Sequence, residues 1–549
     1  MCVHSFQTTH SWQNDPIGPV YNEQTSLYHL YCQWNPHGTE WGNMSWFSAA
    51  SKDLVTWFPY GSQPSLKPDK PYDREGVFTG CVLPRGPRGE KDQMTAIYTS
   101  VTSPTIHWTL PYQRGSEGVS IATSRDGGIT WQKDAGNPII EEPPSDLQVT
   151  GFRDPYISTL PSLDRLLGRN AGEYVYATLS GGTVDKTPTP FLYSVPSNNL
   201  RQWESLGQLM DIGLDYEPSA KWCGEGGRNF ECCSLFEMHS IPTLVTSTEG
   251  GRRRWSMWIQ GKMTLQDGQP RLEYGKSGVM DWGCFYAAST SEHPIDGRRL
   301  VMGWIPEDDL TVTQRRDQGW AGMASLAREL VSLEYSDVVK ALATPISEIG
   351  SLTCEREGPG TYTVKTVGIR PVKELLKLRE TAKARQIADC SLRSSARSLR
   401  LPLQSKTWEL EFEADILESC SALNVIIQHS AREFTLITFD VSNEKITVDR
   451  QYSSLLPDVK KAQESGSHTL FSFKSDKDGS IRQESLALRM SFDVSVLEIY
   501  ANDRFALSTR VYPSSSGPAS LCICAETEEG CSGAGSEIAM LSSVGLWER

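Results

Sequence analysis

The chain has 549 residues, 53 Lys plus Arg against 67 Asp plus Glu, a formal net charge of −14 and a pI near 5.3. That balance repels nucleic acid and anionic membrane surfaces, and the length exceeds what one hydrophobic core serves, so two or more domains and a neutral small-molecule partner are expected. There is no basic start followed by an apolar run and no stretch of roughly 20 apolar residues, which argues against secretion and membrane insertion and reads as a cytoplasmic chain.

In chain order, "SWQNDPIGPVY" (residues 11–21) comes first, and on its own an Asn-Asp-Pro cluster is what ordinary turns use. Short segments rich in aromatic and β-branched residues follow, among them "LYHLYCQW", "MTAIYTSV", "EYVYATLS" and "RWSMWIQG", and they read as strands with no amphipathic helix pattern between them. Three turn sequences punctuate them: "SKDLVTW" ending at Trp57, "SRDGGITW" at Trp131 and "SNNLRQW" at Trp203. A unit of about 70 residues with several short strands suits a β-propeller blade, and residues 11 to about 340 hold roughly five.

After about residue 345 the texture changes. Gly368 to Asp389 is charged and suits a helix or a covering loop at a junction. Beyond it, "WELEFEADI" alternates Trp408, Leu410, Phe412, Ala414 and Ile416 with acidic residues, the period of a half-buried strand. "FTLITFDV", "KITVDR", "LALRMSFDVSVLEIY" and "RFALSTRVY" continue in that style, with Ala501 to Asp503 as a hairpin turn. The fold class is therefore all-β: a five-bladed propeller over residues 1–345, a junction over 346–390 and a C-terminal β-sandwich over 391–549.

Certain polar and aromatic residues fall at similar phases of successive blades: Asp15, Thr79, Asp154, Glu231 and Tyr286. The first strand of each blade lines the central channel, so these side chains are expected in one pocket. Three carboxylates confined there cannot all ionise at ordinary pKa values, and a neutral acid beside an anion is what glycoside hydrolysis requires. Thirteen Cys, an odd number without a CxxC spacing, predict neither a disulfide framework nor a zinc site; no metal or cofactor is expected. Asp281, Glu329 and Glu498 are read as partners of backbone or Arg groups, Trp320 as either pocket wall or packing between blades, and Cys232 as a polar neighbour of Glu231 or a buried hydrophobe.

"WQNDPIG", "YCQWNP" with "WGNMSW", "FTGC", "GFRDP", "NFECC" and "QGWAGMASLAREL" occur in an order that resembles glycoside hydrolase family 32, the invertases, inulinases and fructosyltransferases. The segment from Tyr98 to Gly128 further resembles fungal members that both hydrolyse sucrose and transfer fructosyl groups. The resemblance implies Asp15 as nucleophile, Asp154 as a stabiliser of fructosyl hydroxyls with Arg153 beside it, and Glu231 as general acid/base. It places binding roles on Asn14, Gln33, Trp41, Phe78, Thr79, His107, Arg153 and Tyr286. A retaining mechanism would set the Asp15 and Glu231 carboxyls roughly 5 to 5.5 Å apart.

Two residues depart from the family pattern, Ile17 for a second Asn and Thr79 for a Ser. An apolar residue at 17 is expected to favour a sugar acceptor over water, so transfer should compete with hydrolysis at high sucrose. The expected partners are sucrose and fructo-oligosaccharides, with no nucleic acid and no membrane, and a homo-oligomer is allowed. The alternatives are an inulinase-type fructan hydrolase, an inverting five-bladed arabinan or xylan glycosidase, and a sugar-binding module without turnover.

Overall fold

The computed structural model describes residues 6–8, 10–393, 398–475, 477–514, 519–527 and 536–549. Five antiparallel sheets follow one another along the first two thirds of the chain. Their innermost strands are Ser11–Asn22, Gly76–Leu83, Val149–Ser158, Asn229–Met238 and Tyr286–Glu292. Each inner strand packs against those of the blades before and after it, and the fifth packs against the first, which closes a five-bladed ring. Aromatic and β-branched side chains fill the joints between blades: Ile17, Tyr31, Trp46 and Tyr98 between the first and second, Phe152, Ile121 and Val175 between the second and third.

The three Trp-ending turns each lead into the outermost strand of a blade, at Trp57–Pro59, Gln132–Lys133 and Glu204–Gln208. The local chemistry repeats. Asp53 Oδ1 accepts the N–H groups of Val55 and Thr56 at 3.1 and 2.9 Å, and Asp126 Oδ1 accepts those of Ile129 and Thr130 at 3.1 and 3.0 Å. Such Asx turns fix the chain before the Trp ring docks, as Trp131 does against Tyr31 at 5.7 Å.

The ring is fastened by the segment after Gly319. Trp320–Ala321 pairs in parallel with Ser11 and Trp12 of the first blade, and Met323–Ala324 pairs with Trp304 and Ile305 of the fifth. Gly322 between them, at φ +81°, carries no side chain because a Cβ there would overlap the Gln13 carbonyl oxygen. Trp320 thus closes the ring and does not line the pocket around Asp15.

Helix is scarce, but two short pieces appear where the sequence suggested none: Pro161–Leu167 and Val312–Gln318, both stopped by a left-handed Gly, Gly168 and Gly319. Seven residues are too few for an amphipathic period to register. Residues 368–389 resolve into the end of strand Thr361–Pro371, the short helical turns Lys373–Leu376 and Lys377–Glu380, and strand Lys383–Ile387.

The C-terminal part forms two antiparallel sheets packed face to face, one including Thr407–Ile416, Leu486–Asp493 and Glu537–Glu548, the other including Cys420–Gln428, Phe434–Asp440 and Ala519–Thr527. Trp408, Leu410 and Phe412 meet Val425 and Ile427 in the core between them. The hairpin at Ala501 turns through Asn502 and Asp503, both left-handed at φ 47° and 53°, as a tight two-residue turn demands. Arg328 of the fifth blade lies wholly buried between Asp281 of the fourth blade, at 2.8 Å, and Glu498 of the sandwich, at 2.7 Å. Glu329 in turn receives Arg370 at 2.6 Å.

Candidate active site

Each inner strand breaks its pairing at the same depth. Asp15 is extra between Asn14 and Pro16; Phe78-Thr79, Asp154-Pro155, Cys232-Cys233 and Ala287-Ala288 each oppose a single residue of the neighbouring strand. Such β-bulges bend a strand and re-aim its side chains. The backbone is left-handed at Asp15 (φ 27°), Asp154 (56°), Cys232 (51°) and Ala287 (50°), a conformation that non-glycine residues adopt only at a cost. With these bulges Asp15, Phe78, Arg153, Asp154, Glu231 and Tyr286, from the five inner strands, line a cavity of about 420 Å³ on the axis.

The three acids sit in different surroundings. Asp15 Oδ2 accepts hydrogen bonds from Gln33 Nε2 at 3.0 Å and Thr79 Oγ1 at 2.6 Å, with Cys232 Sγ at 3.8 Å, while Oδ1, among the described residues, accepts one side-chain hydrogen bond, from Asn14 Nδ2 at 3.0 Å. Asn14 is itself fixed by the Trp12 indole N–H at 2.9 Å. Asp154 is buried, and its Oδ2 accepts the Cys232 N–H at 3.0 Å. Glu231 is gripped on both oxygens: Arg153 Nη2 and Nε donate to Oε1 at 2.9 and 3.2 Å, and the Tyr286 hydroxyl donates to Oε2 at 2.7 Å.

Arg153 carries the centre. Its Nη1 donates to Glu117 at 3.1 Å and its Nη2 also reaches Glu249 at 3.2 Å, so one guanidinium holds three carboxyl groups. Arg254 lies over the Tyr286 ring at 5.3 Å and donates to Asp308 at 2.6 Å. The cavity wall therefore presents five carboxyl groups, Asp15, Asp154, Glu231, Glu249 and Asp308, against two guanidiniums. They cannot all be anionic together. Burial, and then the charge of Glu231, lift Asp15 above the usual carboxylate range; burial foremost holds Asp154 well above it; burial and the Glu231 charge push Glu249 up to about 7. Glu249, at about 7, is therefore part-protonated near neutrality.

Of the residues singled out in the sequence, Asn14, Asp15, Gln33, Trp41, Phe78, His107, Arg153, Asp154, Glu231 and Tyr286 line the one cavity. Thr79 does not: its hydroxyl lies behind Asp15, donating to Oδ2 and receiving the Gln33 amide, so it orients the carboxylate instead of facing the cavity. Ile17 is fully buried in the joint between the first and second blades, and no apolar rim arises from it. His107 sits exposed on the rim, its ring Nδ1 paired with Thr109 Oγ1 at 2.7 Å. Sequence reasoning missed Glu117, Glu249, Arg254, Trp304 and Asp308. Glu117 offered a signal, an acidic residue heading the apolar strand Glu117–Ser124, where a charge is buried only with a partner.

Residues 4–342 match the glycosyl hydrolases family 32 N-terminal domain, and residues 374–540 match the family 32 C terminal domain. The chain belongs to glycosyl hydrolase family 32. Similar family members include an acid beta-fructofuranosidase of Solanum lycopersicum, 26% identical over 93% of this chain and 77% of that one. A 6(G)-fructosyltransferase of Asparagus officinalis is 25% identical over 92% of this chain and 81% of its own length. Among solved structures, the Aspergillus kawachii beta-fructofuranosidase complexed with glycerol superposes with a TM-score of 0.89 at 27% identity, covering 100% of this chain and 94% of that one. The fructosyltransferase of A. japonicus gives 0.88 at 25% identity, covering 100% and 95%.

Proposed function

We propose that this family 32 protein is a retaining β-fructofuranosidase that releases the terminal fructosyl unit of sucrose and related fructosides and passes part of it to sugar acceptors. The observation that carries the reading is the convergence of Asp15, Asp154 and Glu231, from three inner strands, on one cavity at one depth of the ring. Similarity to both a beta-fructofuranosidase and a fructosyltransferase supports the pairing of hydrolysis with transfer.

In the first step an Asp15 oxygen attacks the anomeric carbon while Glu231 gives its proton to the glycosidic oxygen, so the glucose leaves neutral and a fructosyl ester forms on Asp15. Oδ1 is the oxygen less engaged by the protein and the better nucleophile of the two. In the second step Glu231 takes the proton of a water or a sugar hydroxyl, whose oxygen displaces Asp15. Arg153 and Tyr286 hold Glu231 in place for both transfers, and Asp154 is set to bind fructosyl hydroxyls. We also place the protein in a reducing compartment, on thiols such as Cys32, Cys81, Cys223, Cys232 and Cys233 that are buried and form no disulfide. Incubation with sucrose at low and high concentration tests the function, following glucose, fructose and trisaccharide together. An excess of glucose over fructose at high sucrose, with trisaccharide to match, is expected; equal glucose and fructose throughout would remove the transfer half.

A further inference from the structure

Strand Arg299–Ile305 of the fifth blade runs into a loop, residues 306–310, that carries three acids in a row, Glu307, Asp308 and Asp309. The two outer acids are held by the sandwich. Glu307 pairs with Arg510 at 2.8 Å and accepts the Tyr512 hydroxyl, while Asp309 Oδ2 accepts from Arg450 Nη1 at 2.5 Å and the Asp309 carbonyl accepts the Lys460 N–H at 2.9 Å. Arg510 also donates to the carbonyls of Ile305 and Pro306, both at 3.0 Å, and Leu310 packs with Val459 and Tyr512. Arg450 and Arg510 are both buried, and Arg450 Nη1 is tied to the Arg510 carbonyl at 2.7 Å. The middle acid has a different neighbour: Asp308 lines the catalytic cavity and accepts from Arg254 Nη2 at 2.6 Å. An ion pair whose side chains are 50% and 44% exposed does little to fix its own geometry. The buried contacts on either side of Asp308 do that for it.

Resting on the function proposed above, we propose that the sandwich positions the acid/base of the propeller: Arg450 and Arg510, through Asp309 and Glu307, fix the loop that keeps Asp308 on Arg254. Arg254 stands over the Tyr286 ring at 5.3 Å, and the Tyr286 hydroxyl donates to Glu231 Oε2 at 2.7 Å, so the chain of contacts ends on the carboxyl that gives the proton. Glu307, Asp309, Arg450 and Arg510 do not line the catalytic cavity, and they are positioning residues. When the loop slackens, Arg254 loses its partner, the Tyr286 ring loses the cation above it and Glu231 is held by Arg153 with a less steady second donor. Delivery of the proton to the glycosidic oxygen suffers, while attack by Asp15 does not. A leaving group that departs without a proton is therefore insensitive to the loop.

The test is Asp309→Ala, with Asp309→Asn as the conservative variant that keeps an oxygen for Arg450. Arg450 retains Glu464 at 3.5 Å and the carbonyls of Ala462 and Arg510, so the fold is expected to hold in both. The readouts are kcat/KM on sucrose and on β-fructofuranosyl fluoride, whose fluoride leaves without a proton from the enzyme. Asp309→Ala should lower kcat/KM on sucrose about fivefold, the scale of an exposed ion pair, and leave the fluoride within about twofold. Asp309→Asn should recover most of the loss. Placed on top of Asp308→Ala, Asp309→Ala should cost nothing more, because both act through one contact. An equal loss on both substrates, as a merely structural role would give, or no loss on either, would overturn the proposal, and so would additive losses in the double variant. Wild-type protein that cleaves neither substrate would overturn the proposed function as well; wild-type cleavage of both beside an unaltered Asp309→Ala overturns the positioning role alone.

Discussion

Around the propeller axis and at two acids of the sandwich, Glu444 and Glu409, carboxyl groups are handled in opposite ways. On the axis, burial outweighs the donors present and lifts Asp15 and Asp154 above the ordinary range. In the sandwich, Glu444 is also buried, yet the Lys221 ammonium and the hydroxyls of Thr344 and Thr469 overcome burial and bring it down to about 2. Glu409, buried beside Arg379 and Arg489, is also lowered. The difference is the number of cationic and hydroxyl partners per acid. Where an acid has several partners of its own, as Glu444 and Glu409 do, the charge serves stability; where five carboxyl groups share two guanidiniums, Asp15 and Asp154 are held above their ordinary value.

Altering one charged residue on the axis and one at the joint between propeller and sandwich should therefore have opposite consequences. Asp15→Ala should lower kcat about 10⁴-fold, or roughly 5 kcal/mol of barrier, while its thermal midpoint holds or rises because a buried, under-compensated carboxyl is gone. A large drop in stability instead would break the contrast. Arg328→Met should do the reverse, leaving Asp281 and Glu498 buried without their shared cation at a cost of about 3 to 5 kcal/mol in denaturant unfolding with kcat/KM on sucrose nearly unchanged.

Smaller effects sharpen the same comparison. Glu444→Gln should cost about 2 kcal/mol at pH 7. The sign follows from a folded pKa depressed from 4.5 to about 2: the stabilisation is complete above the unfolded value and fades as the pH falls from about 4.5 through 2. Unfolding curves of the two proteins should accordingly converge in acid; a gap that persists there would mean the carboxylate charge is not its source. Tyr286→Phe removes one donor from Glu231 Oε2 and leaves Arg153 in place, so kcat should fall only about tenfold with the melting temperature little changed.

The regions also differ in how much of them the sequence discloses. Alternation in "WELEFEADI" matches the observed burial of Trp408, Leu410, Phe412, Ala414 and Ile416, and departs only at Glu409, buried because Arg379 folds back across it from 30 residues earlier. The Asx turns before Trp57 and Trp131 were visible because their chemistry is local, within four residues. In the ring, the motif residues were legible but not the bulges that aim them, since a bulge depends on register against a neighbouring strand. Glu249, Arg254 and Asp308 reach the site from outside the motifs, by folding rather than by spacing. Thr79 and Ile17 were misplaced for one reason: successive strand residues point to opposite faces, and a bulge shifts which face is which.

The most direct test of the proposed catalytic pair is the anomeric form of the first fructose released from sucrose, followed by NMR before mutarotation. Attack by Asp15, then by water from the side Glu231 occupies, gives two inversions, so β-fructofuranose is expected first. α-Fructofuranose as the first product would mean a single displacement by water, and would contradict Asp15 as nucleophile.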